Sequence, residues 1–421
     1  MRYDALVIGA GAGGLCAAAR LSRESYRVLL VESRDRVGGR ASSVEEEGFI
    51  VNTGAIAIEY GGVLEETFRG VGAPWEIRVP QPASLFRLRG RDLRLSSGPL
   101  GAIVKSALKK GAAVLRGDDG RTTVKEWLDG HTRNQTVHAI FRNLCAAIFA
   151  VNADELPVKA FMTYFLTKGA FRDFGFSPTG TLGLMQGLAD VVCERGEVWL
   201  DSAVRALHVR DGRVSGALVA REAELLEVEA DVVISNAGPA ATVALCGPEH
   251  FAPAYLERME RDLRATANIV VNFASREPLL DAPGIVTFGL SRRLCNMANL
   301  TATCPELAPE GWNLYVAYGV PIPAVGEFDE RTEVQETLRD LCDEFRGFEE
   351  RARILSIRVM KDEWPAQRSI AGFDLERATP LANLWNVGDG VRTYGSGGAQ
   401  ACAETAKLVV EEVLARRGVR V

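Results

Sequence analysis

The chain has 421 residues, 47% of them hydrophobic and 25% charged, with a formal net charge of −6. That length exceeds one ordinary core and predicts two domains, the acidic balance argues against a nucleic-acid surface, and no run reaches the roughly 18 apolar residues of a membrane span. The eight cysteines and four histidines are scattered, with no Cys-x-x-Cys pair and no metal-ligand spacing, a pattern of reduced thiols in a cytoplasmic enzyme rather than of disulfides or a zinc site.

Residues 3–8 (YDALVI) form an apolar run of strand length. They lead straight into Gly9-Ala10-Gly11-Ala12-Gly13-Gly14 with no small-residue cleavage site, so the run is expected to belong to the fold and not to a signal peptide. Residues 15–21 are alanine-rich and predict a helix, and residues 27–31 (RVLLV) predict a second buried strand that ends in Glu32. Strand, glycine turn, helix, strand and acid within about 30 residues make the dinucleotide fingerprint. Gly9 suits the tight turn, Gly11 lets backbone approach a pyrophosphate, Gly13 sits in the same turn, and Gly14 lets the helix pack close to the strand. The helix N-terminus turns free N–H groups toward the phosphates. Glu32 can accept hydrogen bonds from ribose hydroxyls and would repel a 2′-phosphate, which argues against NADP.

The next loop reads Ser33-Arg34-Asp35-Arg36-Val37-Gly38-Gly39-Arg40. A second glycine pair and an arginine suit a dinucleotide longer than NAD, whose chain runs past this loop. Gly38 and Gly39 allow close backbone approach, and Arg40 offers charge-assisted hydrogen bonds to phosphate. The run from Glu32 to Arg40, Arg34 included, resembles the signature of the flavin-containing amine oxidase and phytoene desaturase superfamily. The resemblance implies FAD as cofactor. It implies an α/β fold, with a Rossmann-type, glutathione-reductase-like FAD-binding domain and an inserted α+β substrate domain. Thr53-Gly54-Ala55-Ile56 resembles a loop that passes the flavin, which puts Gly54, Ala55 and Ile56 beside the cofactor; Asn52 stands where many relatives carry Asp.

Further along, helical patches occur at 101–115, 122–128 and 138–150. Residues 101–116 (GAIVKSALKKGAAVLR) are apolar, with Lys105, Lys109, Lys110 and Arg116 among them. They suit either a helix lying in a bilayer interface, which would make the protein peripheral to the membrane, or a helix that covers the substrate domain with its lysines in water. Residues 179–192 resemble the family's glycine-rich segment leading into a helix. Strands at 203–209 and 213–219 flank Asp211-Gly212, a hairpin signal, and a strand at 228–235 ends in Asn236. In the family this block lies beside the adenosine, and Val204 matches the residue whose backbone contacts adenine.

Residues 267–273, 285–290, 313–318 and 354–360 are strand-like, and 332–345 have helical spacing. Residues 362–368, with 369–373 after them, resemble phytoene-desaturase-like proteins of bacteria and archaea. Trp364 and Arg368 either line a pocket or are a packed Trp and a solvated Arg. A short strand at 383–387 is followed by Gly388-Asp389-Gly390, then Tyr394-Gly395-Ser396-Gly397-Gly398-Ala399, then a helix over 400–416. This resembles the family's C-terminal flavin motif. The resemblance implies that Asp389 binds the ribityl hydroxyls. It also implies that N–H groups around Gly398 and Ala399 face the flavin pyrimidine edge, where a helix N-terminus would stabilise the anionic reduced flavin.

Residues 1–75, 180–265 and 365–421 are thus assigned to a discontinuous FAD-binding domain, and 76–179 and 266–364 to the substrate domain, with the pocket between them. No second GxGxxG unit is present for NAD(P)H. Monoamine-oxidase-like members carry an aromatic residue where Gly398 stands. Desaturation, saturation or isomerisation at a carbon–carbon bond of a lipophilic, isoprenoid- or carotenoid-like small molecule is therefore favoured. The alternatives are an amine oxidase, its aromatic cage drawn from Tyr394, Tyr318 or Trp364, and an FAD-binding protein without turnover. No catalytic acid or base stands out; in the family, hydride transfer to flavin N5 can proceed without one.

Overall fold

The structure is a computed structural model that describes residues 1–94, 101, 106, 108–109, 111–112, 114–117, 120–167 and 173–418. In chain order its strands are β1 (Arg2–Ile8), β2 (Val28–Val31), β3 (Ser43–Glu46), β4 (Phe49–Asn52), β5 (Ile58–Glu59), β6 (Ser84–Leu88), β7 (Arg91–Leu93), β8 (Phe174–Gly175), β9 (Glu197–Trp199), β10 (Ser202–Arg210), β11 (Arg213–Arg221), β12 (Glu224–Ser235), β13 (Asn268–Ser275), β14 (Ile285–Phe288), β15 (Leu294–Asn299), β16 (Asn313–Gly319), β17 (Ala352–Met360) and β18 (Leu384–Asn386).

The first sheet runs β10-β11-β12-β1-β2-β9, with β18 beside β12. β1, β2, β9, β12 and β18 pair in parallel. β2 (VLLV) is buried throughout, as a strand covered on both faces must be. One face is covered by Ala12–Arg23, Gly180–Cys193 and Gly398–Gly418 through Leu15, Leu188 and Val409. Val243, Phe251 and Leu381 close the other face. β10 and β11 turn through Asp211 and Gly212 at φ of 50° and 69°, the mirror-image turn that matches strand twist. β12 spans 12 residues. Its first half pairs with β11 and its last three residues with β18, so it begins earlier than the strand expected at 228.

The second sheet runs β17-β13-β16-β15-β14-β6-β7. It is antiparallel except where β6 lies parallel to β14, which joins the two insertions in one sheet. β15 (LCNMAN) was not among the expected strands. Its two asparagines and alanine are weak strand formers, but all of it is buried between β14 and β16, and tertiary pairing overrides propensity. The helices Val158–Thr167, Pro239–Cys246 and Pro253–Asp262 were likewise not foreseen. The helix Gln135–Phe149 starts at Asn134, whose side chain caps Thr136 N at 2.9 Å. Asn143 pins it to the second sheet, donating to Phe288 O at 2.7 Å and Ser291 O at 3.2 Å.

Of the 101–116 stretch, considered above for a bilayer interface, residues 102–105, 107, 110 and 113, Lys105 and Lys110 among them, lie outside the described residues. Among the described residues no helix is long and apolar enough to cross a membrane. All eight cysteines are free thiols.

Candidate active site

Four parallel strands of the first sheet stop at one level. Ile8 stands opposite both Val31 and Ser235, and Ser235 opposite Asn386. Gly9, Glu32, Asn236 and the Gly388-Asp389 turn therefore emerge together at the carboxyl edge, where open α/β sheets bind ligands. A cavity of about 900 Å³ opens there. Of the residues expected at the cofactor, it is lined by Gly9, Gly11, Gly13, Glu32, Arg34, Gly38, Gly39, Arg40, Gly54, Ala55, Val204, Asn236, Asp389, Gly398 and Ala399.

Three of the expected residues stand behind this wall. A Cβ on Gly14 would collide with the carbonyl oxygen of Gly9, so its bareness serves helix-to-strand packing. Gly388 donates its N–H to Thr405 Oγ1 at 2.8 Å. Ile56 turns away to a separate, smaller pocket with Phe176 and Leu307, because the apolar cluster around Phe49 and Met360 draws it in.

The glycine turn forms a cradle. A Cβ on Gly11 would sit 2.6 Å from Asn236 Nδ2, one on Gly13 2.7 Å from Asn236 Oδ1, and one on Gly388 2.6 Å from the same oxygen. Gly11 caps the helix Ala12–Arg23 without a side chain, so the first N–H groups of that helix lack an intrahelical or capping acceptor and suit an anion. Glu32 is 7% exposed; its Oε2 accepts from Ala10 N at 2.7 Å and its Oε1 from Arg34 N at 3.0 Å. Ser33 Oγ donates to Oε1 as well, at 3.3 Å, which leaves Oε2 with a second lone pair for a further donor.

Opposite lies a charged cluster. Arg40 grips Asp389 through both terminal nitrogens, at 2.8 and 2.5 Å. Arg368 N donates to Asp389 at 2.6 Å, and the Arg368 Nε donates to Ala237 O at 3.0 Å. Burial alone would raise the Asp389 carboxyl, but Arg40, with Arg368 and Arg392 near it, holds it well below the usual carboxylate range. Burial beside Arg40 lowers the Arg368 guanidinium. Arg392, Gln367, Asn268 and the helix residues Ala146 to Ile148 also line the cavity without having been singled out from sequence. Arg392 carries no sequence signal of its own, since only the fold buries it and brings it to Asp374 at 2.9 Å.

Trp364 and Arg368 both line the cavity. Trp364 carries the Arg34 guanidinium over its ring at 3.8 Å, a stacked cation–π contact. Tyr394 is 37% exposed and is not part of the wall. Cys402 lines the cavity, and burial pushes its thiol up to about 11, so it stays neutral.

A bare glycine cradle, a free helix N-terminus, an acid after β2 and a second helix start at Gly398 fit a dinucleotide with a tricyclic head better than NAD alone. Comparisons with known proteins agree. An uncharacterized protein of Methanocaldococcus jannaschii is 24% identical over 402 residues, 94% of each chain. A lycopene-forming phytoene desaturase of Pantoea ananas is 46% identical over 66 residues, 16% of this chain and 13% of that enzyme. The crystal structure of an oxidoreductase from Methanosarcina mazei superposes with a TM-score of 0.85 at 25% identity, covering 98% of this chain and 100% of that one. The family model for flavin containing amine oxidoreductases matches residues 12–414. The protein therefore belongs to that family and is an FAD-dependent oxidoreductase.

Proposed function

We propose that the protein carries out redox chemistry on a carbon–carbon bond of a lipophilic, isoprenoid-like small molecule. In this reading the turn from Gly9 to Gly14, with Gly38, Gly39 and Arg40 opposite, holds the FAD pyrophosphate. Glu32 takes the ribose, and Val204 and Asn236 flank the adenosine. Asp389 serves the ribityl chain, Gly54 and Ala55 border the flavin, and Gly398 and Ala399 meet its pyrimidine edge. When bound, FAD supplies the centre that takes or gives the hydride. The chain's own contribution is to exclude water and to orient the substrate.

The observation that carries the substrate class is the composition of the wall. Where it passes to the second sheet and the helix Gln135–Phe149, it presents Ala146, Ala147, Ile148, Val320 and Met360, a surface suited to hydrocarbon. The likeness to a phytoene desaturase supports the same direction.

The family's name favours amine oxidation as a second reading. Against it, Glu32 and Asp389 are both given to FAD in this reading, and the part of the wall that Ala146, Ala147, Ile148, Val320 and Met360 form offers no carboxylate to a protonated amine. Trp364 is covered by Arg34 and Tyr394 stands outside the wall, which leaves only Tyr318 of the three aromatics to build a cage there, and one ring does not make a cage. The test is anaerobic mixing of the FAD-loaded enzyme with polyprenoid lipids and, separately, with amines, read by loss of the flavin absorbance. Bleaching by a lipid, or reoxidation of reduced enzyme by an unsaturated lipid, is expected; bleaching by amines alone would overturn the proposal.

A further inference from the structure

Three polar side chains are set into the apolar part of the wall: Asn268 on β13, Tyr318 on β16, and Gln367 at the seam between the two sheets. Asn268 is 7% exposed. Its Oδ1 and the Tyr318 hydroxyl are buried with no hydrogen-bond partner in the protein. Folded proteins leave few such atoms unpaired, because an unpaired one forfeits its hydration with nothing in return. Burial also pushes the Tyr318 hydroxyl well above its ordinary value, so it remains a donor.

Gln367 has a defined orientation. Arg392 Nη1 donates to Gln367 Oε1. A guanidinium has donors only, so this contact fixes which end of the amide is oxygen, and no acceptor among the described residues takes Nε2. Arg392 is itself locked. It is 5% exposed, and it donates to Asp374 Oδ1 at 2.9 Å, Ser369 O at 2.7 Å and Ser369 Oγ at 2.9 Å. Asp374 also accepts from Gly390 N at 3.0 Å, which ties Gln367 to the turn that carries Asp389. The Gln367 backbone is bridged to Thr266, two residues before Asn268.

We propose that this wall recognises a hydroxyl on an otherwise apolar substrate, with Gln367 Nε2 and the Tyr318 hydroxyl donating to its oxygen and Asn268 Oδ1 accepting its hydrogen. The inference rests on the lipophilic-substrate reading above and narrows it, because a plain hydrocarbon would leave all three groups unpaired.

The test titrates the FAD-loaded enzyme with phytanol and with the matched hydrocarbon phytane, dispersed in one detergent and read by perturbation of the flavin visible spectrum. Phytanol is expected to bind at least about tenfold more tightly. Gln367→Leu and, with less change of shape, Tyr318→Phe should shrink that preference while phytane affinity holds. Equal binding of the two probes to the wild type would overturn the inference and leave the lipophilic reading standing. No perturbation by either probe would overturn both. A Gln367→Leu protein with a shifted flavin reduction potential and an unchanged probe preference would assign the donor to the flavin, and it too would overturn the inference.

Discussion

Asp389 holds Arg40 by two hydrogen bonds and takes a third from Arg368 N, so removing its carboxylate leaves buried guanidinium charge without a counter-ion. Asp389→Ala should cost about 3–5 kcal/mol of stability, together with flavin content. Its folded carboxyl titrates below the roughly 3.9 of an unfolded chain. The stabilisation it gives is therefore complete above that value and fades as acid protonates the folded group. The gap in thermal stability between wild type and Asp389→Asn should be constant above about pH 5 and shrink below about pH 4; a gap that grows with acid would contradict the ion-pair account. At this scale much of the site is legible in sequence. Gly9, Gly11, Glu32 and Asp389 belong to short patterns whose chemistry is local. Asn268, Gln367 and Arg392 are not, because what gives them meaning is a partner or a wall reached through the tertiary fold.

Elements follow the same division. The parallel strands β1 and β2 announce themselves as apolar runs beside glycine turns, whereas β15, with Asn296 and Asn299, becomes a strand only because β14 and β16 enclose it. The parallel pairing of β6 with β14 was invisible too, since it brings together segments that no pattern relates. The helix Gln135–Phe149 is readable as a helix but not as a cavity wall; Asn143 puts it there. Asn143→Ala leaves the carbonyls of Phe288 and Ser291 without its amide. It should cost about 1–3 kcal/mol, leave flavin content unchanged, and weaken lipid binding. Loss of FAD from this variant, measured by its visible spectrum, would show that the helix is not confined to the substrate side.

For the whole molecule, the first sheet draws its strands from 2–31, 197–235 and 384–386, while the second fills the intervals. Each sheet is thus completed across the other's chain, and the two are expected to unfold together. Thermal unfolding followed by flavin fluorescence and by far-ultraviolet circular dichroism should give one midpoint, which moves up as free FAD at a hundred times its dissociation constant adds about 2.7 kcal/mol of stability; two separated transitions would argue for independent domains. The same threading bears on how the protein is made. The Asn236 side chain is wedged among Gly11, Gly13 and Gly388, and Arg40 reaches a partner 349 residues away. A ribosome adds roughly 5–20 residues each second, so for most of synthesis the amino-terminal half of the cradle has emerged with nothing to close it. Cofactor capture must wait until β18 and the helix behind it leave the exit tunnel, and until then the nascent chain carries an open sheet edge that a chaperone would have reason to cover.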